Sequence, residues 1–268
     1  METDMENKFR RSPKFFSSAS CFIICLLLLN SSLYGQEVDL DSSVRIFLNR
    51  ISEITHGRIY GENNRDKILK WRDAFLSKTM DYSKPIVVMV YPRFDYNDAF
   101  TYNSIAEIIN AGNQLLYFEA GYLSELNGIL ESMIIKLPEN QKISLIIGAH
   151  GTRNGMRFGR DIFDAGDNSV ESKINHFHFH RLLRSLNIIT LVLESCSTGE
   201  GEISRHNVAN SFAEHISGMI YAPVIPVSAL SIKYYFKEDG SIDKVLFGRG
   251  IFDTYSIMGN YVRTEARK

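Results

Sequence analysis

Four blocks of consecutive apolar residues constrain this chain more than any other feature: Pro85-Ile-Val-Val-Met-Val-Tyr91, Ile143-Ser-Leu-Ile-Ile147, Ile188-Ile-Thr-Leu-Val-Leu193 and Met219-Ile-Tyr-Ala-Pro-Val-Ile-Pro-Val227. Short runs that do not alternate with polar residues suit strands buried on both faces, as in a parallel sheet covered by helices. Between the blocks, apolar residues recur at helical steps around Ser104 to Ala111 and from about Tyr122 to Lys136, closed by Pro138. Further helices are expected around Leu182, Leu183 and Leu186, and from about Asn207 to Ile216. Strands alternating with helical crossovers define an α/β sandwich with a mainly parallel sheet flanked by helices.

Shorter features complete this outline. Gln114-Leu-Leu-Tyr-Phe118 is a further apolar stretch, Gly155 to Ser169 resembles a short hairpin, and Tyr234 to Tyr255 a hairpin turning at Asp239-Gly240 before a short helix. Ahead of the first block, apolar positions from Val44 to Ile54 and from Ile68 to Leu76 predict two helices broken near His56-Gly57. The expected organisation is a signal segment over 1–35, a helical N-terminal segment over 36–84 and one α/β domain over 85–268. With 44% apolar residues the chain can bury a core, and its formal charge of −1 provides no basic field to recruit nucleic acid.

The N-terminal segment carries Lys8, Arg10, Arg11 and Lys14, then an apolar run from Phe15 to Leu29, then small and polar residues up to Gly35. That order is the order of a secretory signal, so the mature protein is expected outside the cytoplasm, secreted or periplasmic. The run is short of the ~20 residues of a spanning helix, which argues against a retained anchor and stable membrane insertion. Cys21 and Cys25 lie inside this segment, and Cys21 precedes the leucines, so no lipoprotein box is present. Cys196 is then the one cysteine of the mature chain, in a compartment where an unpaired thiol must be buried or used.

Cys196 follows the third apolar block in Glu194-Ser195-Cys196-Ser197-Thr198-Gly199, and His150-Gly151 follows the second. Loops at the carboxyl ends of parallel strands share one sheet edge, so neighbouring strands would bring imidazole and thiol together there. A histidine beside a cysteine can take the thiol proton and return it to a leaving amine. Gly151 has no side chain to obstruct a substrate carbonyl, and its N–H can join that of Cys196 as an oxyanion donor.

An apolar block ending in His-Gly and a second ending in Glu-Ser-Cys-Ser resembles the caspase-like cysteine peptidases, which include caspases, legumains, gingipains, clostripains and separases. The Glu194-Ser195-Cys196 triplet is most similar to the Glu-Ala-Cys of legumains. This resemblance implies a caspase-like three-layer sandwich and a secreted endopeptidase acting through a thioester. It implies His150 as acid and base, Cys196 as nucleophile, and Gly151 with Cys196 as oxyanion donors. Glu194 matches the glutamate of the legumain specificity pocket, and Arg93, Asp95 and Ser228 occupy the places from which that family builds its pocket walls. The implied partner is a protein or peptide substrate, and relatives that transfer the acyl group to an amine use the same pair.

Other readings compete. Cys196 and His150 also suit a buried hydrophobe and a turn residue in a catalytically inactive domain that binds a protein partner. The run His176-Phe-His-Phe-His180 would present three imidazoles on one face of a strand, a possible zinc set, but on a helix only His176 and His180 align. An aromatic-rich helix start is the preferred reading. Asp161, Asp164, Asp167 and Glu171 lack EF-hand spacing, and no phosphate-binding glycine pattern accompanies Gly148 and Gly151. No cofactor is expected.

Overall fold

The computed structural model describes residues 62–93, 100, 103–158, 161–164, 178–201, 207–227 and 232–248. Helix α1 (Glu62–Leu76) leads into β1 (Ile86–Pro92), α2 (Asn103–Asn110), β2 (Leu115–Ala120), α3 (Leu123–Lys136) and β3 (Ile143–Gly148). Three short strands follow, β4 (His150–Gly151), β5 (Gly155–Phe158) and β6 (Asp161–Asp164), and then helical residues 178–184, here α4. The chain continues through β7 (Ile188–Glu194), α5 (Val208–Ala213), β8 (Met219–Tyr221), β9 (Ile232–Phe236) and β10 (Ile242–Phe247).

The central sheet has five strands in the order β2-β1-β3-β7-β8, and every pairing in it is parallel. Every residue of β1, β2 and β3 is buried, because helices or a hairpin cover both faces. Successive side chains of a strand point to opposite faces, and the core divides accordingly. On one face Ile86, Val88, Val90, Leu145, Ile147, Leu191 and Leu193 pack with Leu126, Ile129, Leu130 and Met133 of α3, Leu182 and Leu183 of α4, and Phe212 of α5. On the other, Val87, Met89, Tyr91, Ile146 and Val192 pack with Ile105 and Ile108 of α2 and with Ile232, Tyr234, Val245 and Phe247 of the β9–β10 hairpin. The result is three layers, with burial of a Leu or Ile side chain contributing roughly 1.5–3 kcal/mol each.

Local chemistry sets several element ends. Glu125, in the first turn of α3, accepts a 2.6 Å hydrogen bond from the Gly121 N–H, and Asn207 caps α5 by accepting from the Asn210 N–H at 2.7 Å. Asn207 thereby satisfies a donor that the helix itself leaves unpaired, while Glu125 fixes the chain just ahead of α3. Helix α5 stops at Ala213, shorter than its apolar pattern predicts.

The fourth apolar block departs furthest from expectation. Its strand spans only Met219–Tyr221, because Pro223 and Pro226 have no N–H to continue a ladder. The rest of the block, up to Val227, runs beside the loop after β7 and accepts hydrogen bonds from it. Two expected features, the helix before His56 and the short helix after β10, lie outside the described residues, as does the signal segment. Among the described residues no helix is long and apolar enough to cross a membrane.

Candidate active site

Strands β3 and β7 are direct neighbours, paired so that Gly148 stands opposite Glu194, and the ladder extends one step further as Ala149 N–H donates to the Glu194 carbonyl at 3.3 Å. His150 and Cys196 therefore leave the same sheet edge from adjacent strands. Both are half-buried and both line one cleft. Its walls are Phe100, Val227 and Ile232, with Ala149, Glu194 and Ser195 beneath. The His150 ring meets Phe100 edge-on, with centroids 5.5 Å apart.

The cysteine sits on a sharp turn. Ser197, the next residue, has a φ of 55°, in the left-handed region that costs a side-chain-bearing residue roughly 1–2 kcal/mol. The turn is held in place by its neighbours: Ser197 N–H donates to the Ile225 carbonyl at 3.2 Å, Gly199 N–H to Pro223 at 2.9 Å, and the Thr198 hydroxyl to the Ser195 carbonyl at 3.0 Å. The Cys196 thiol donates to the Val227 carbonyl at 3.4 Å. The thiol is free of any disulfide.

Gly151 is pressed against this turn. A Cβ there would overlap the Ser195 hydroxyl and lie 2.9 Å from the Cys196 carbonyl oxygen and 3.0 Å from Thr198 Cγ2. In the β4–β5 ribbon, Gly151 pairs with Met156, and the next pair is hydrogen-bonded, with Thr152 N–H donating to Gly155 at 2.9 Å. Hydrogen-bonded and non-bonded pairs alternate along an antiparallel ladder, so the Gly151 N–H points away from β5. The Cys196 N–H likewise has no backbone acceptor among the described residues. Neither amide is taken up by a backbone acceptor among the described residues, and a free N–H is what an oxyanion donor requires.

Glu194 is 2% exposed and lines the cleft, the one acid that does so among the described residues. Tyr91 donates to Oε2 at 2.6 Å and Tyr234 donates to Oε1. Burial pushes the Glu194 carboxyl above its ordinary range, against the opposing pull of these donors. Burial and the neighbouring Glu194 hold both tyrosines well above theirs, so they remain O–H donors. The Tyr91 ring reaches Glu194 by crossing Gly148, where a Cβ would lie 2.5 Å from Tyr91 Cδ1.

Of the other expected wall residues, only Arg93 is described, and it stands apart from this cluster. Arg93 follows β1 but turns to Glu125 of α3, forming a 3.0 Å ion pair, and does not line the cleft. Asp95 and Ser228 lie outside the described residues, as do His176, Asp167 and Glu171. His178 and His180 are helical: His178 Nε2 bonds to Glu131 at 2.8 Å, while His180 stacks on His215 with ring centroids 3.8 Å apart. The two imidazoles therefore serve different neighbours.

Sequence reasoning missed Phe100, Ile232 and the tyrosine pair. Tyr91 and Tyr234 bore a signal, since each is a polar-tipped aromatic inside an apolar strand pattern and must find a partner when buried. Compared with known proteins, the chain matches no protein-family model and no curated protein sequence.

Proposed function

We propose that this protein is a secreted cysteine peptidase with a caspase-like sandwich, in which Cys196 is the nucleophile and His150 the acid and base. The observation that carries this reading is that the His150 imidazole and the Cys196 thiol, far apart in sequence, line one cleft at the carboxyl edge of two adjacent parallel strands. In the reaction, the Cys196 proton leaves Val227 for His150 and the thiolate attacks the substrate carbonyl. The Gly151 and Cys196 N–H groups hold the oxyanion. His150 then protonates the departing amine, and water hydrolyses the thioester to release the acid and restore the thiol. Glu194 forms the polar floor on which the substrate side chain rests, and the partner is a peptide or protein.

Digestion of a peptide library by the full chain tests this. Cleavage abolished by Cys196→Ala and by prior alkylation supports it; cleavage that survives Cys196→Ala overturns it. One observation favours a second reading, a non-hydrolysing domain that binds a protein at the same edge. The thiol is engaged by Val227, and in that case Cys196 alkylates no faster than an ordinary free cysteine.

A further inference from the structure

We infer that Arg157 binds a substrate carboxylate on the leaving-group side of the scissile bond, an inference that rests on the peptidase reading and adds the chemistry of the substrate. Arg157 stands directly opposite His150 in the β4–β5 ladder. Such partners project from the same face of a ribbon with Cβ atoms roughly 4.5–5.5 Å apart. The neighbouring pair, Gly151 and Met156, projects from the other face, where Met156 is buried in the core beneath the helices. The face that carries His150 is the one that looks onto the cleft, because His150 lines it and meets Phe100 there. Arg157 is therefore beside the imidazole.

Its charge is uncommitted. Arg157 is exposed and its side chain makes no hydrogen bond or ion pair among the described residues, which leaves the planar fork of its guanidinium open to a carboxylate. The acid lining the cleft, Glu194, is buried and taken up by Tyr91 and Tyr234. A second cation lies on the same ribbon: the Arg153 guanidinium crosses Gly201 in the loop after Cys196, 3.2 Å from where a Cβ would be. The general acid must face the amine it protonates, so the substrate's departing segment lies on the imidazole side. A carboxylate in that segment meets Arg157, whether it belongs to an Asp or Glu side chain or to a chain terminus.

The test is digestion of a random peptide library by the full chain, with sequencing on both sides of each cut, and with C-terminally amidated and free-acid peptides compared. The expected result is an enrichment of about fivefold for Asp or Glu in the first two positions after the cut, the scale of a partly exposed charge pair. Arg157→Glu shifts that enrichment to Lys and Arg. A preference for free acids over amides identifies the chain terminus as the ligand. Cleavage without acidic enrichment on that side, or enrichment unchanged in Arg157→Glu, overturns the inference and leaves the peptidase reading intact. If nothing is cleaved, the peptidase reading fails, and binding decides Arg157. Fluorescent acidic peptides that bind Cys196→Ala about fivefold tighter than their Asn and Gln counterparts, with the difference lost in Arg157→Glu, support a carboxylate site. Equal binding rejects it.

Discussion

The Tyr91 hydroxyl donates a 2.6 Å hydrogen bond to Glu194, tying the end of β1 to the end of β7 across the intervening β3. Replacing Tyr91 with Phe leaves a buried carboxylic group short of a donor and should cost about 1–3 kcal/mol, read as a lower urea midpoint at constant slope. Because the native Glu194 carboxyl titrates above its ordinary value of 4.5, the unfolded chain releases this proton first as pH rises. Its contribution is therefore complete below that value and is lost as pH climbs through the raised native one. Glu194→Gln should flatten this part of the stability profile, and a profile identical to wild type would contradict the assignment.

Gly151→Ala tests the close approach of the two loops. The new methyl meets the Ser195 hydroxyl and the Cys196 carbonyl, so the His150 loop must retreat from the cysteine turn. Overpacking of this kind costs about 1–3 kcal/mol. Library cleavage should fall at least tenfold while the far-ultraviolet circular dichroism stays native, a loss equivalent to about 1.4 kcal/mol in the transition state.

Ser197 holds a left-handed φ of 55°. Ser197→Gly should be neutral or slightly stabilising, whereas Ser197→Val should cost about 1–2 kcal/mol because a β-branched residue is poorly tolerated there. Thermal melts of both variants check the order. Reversal of that order would mean that the hydroxyl, and not the backbone, sets the preference.

His215 makes a separate forecast. Arg184 donates to its Nδ1 at 2.8 and 3.1 Å, which requires a neutral ring, and burial followed by the Arg184 charge lowers its pKa from the ordinary 6.5. The unfolded chain then takes up this proton more readily than the native one, so stability is full above 6.5 and declines as pH falls through that value. His215→Gln should reduce the slope of urea midpoints between about pH 7 and 5.

The layers were legible because buried parallel strands leave an unbroken apolar signature, and β1, β3 and β7 begin and end within a residue or so of their blocks. The fourth block misled for a local reason: its apolar residues are buried, but two prolines end the strand and turn the chain toward the cysteine loop. His150 and Cys196 could be placed because adjacency of two strand ends is a property of topology. The other walls could not. Phe100 comes from a loop and Ile232 from a hairpin on the far side of the sheet's order, and no spacing in the sequence encodes that convergence. Arg93 shows the converse, since standing at a strand end did not prevent Glu125 from drawing it away from the cleft.

Ile232 and Tyr234 belong to the last described hairpin, yet one walls the cleft and the other holds its acid. A chain emerging from the ribosome displays His150 and Cys196 well before these two residues exist outside the exit tunnel. Until they arrive the cleft lacks a side and Glu194 lacks a donor. The order of synthesis thus delays completion of the site until the β9–β10 hairpin has followed the cysteine loop out.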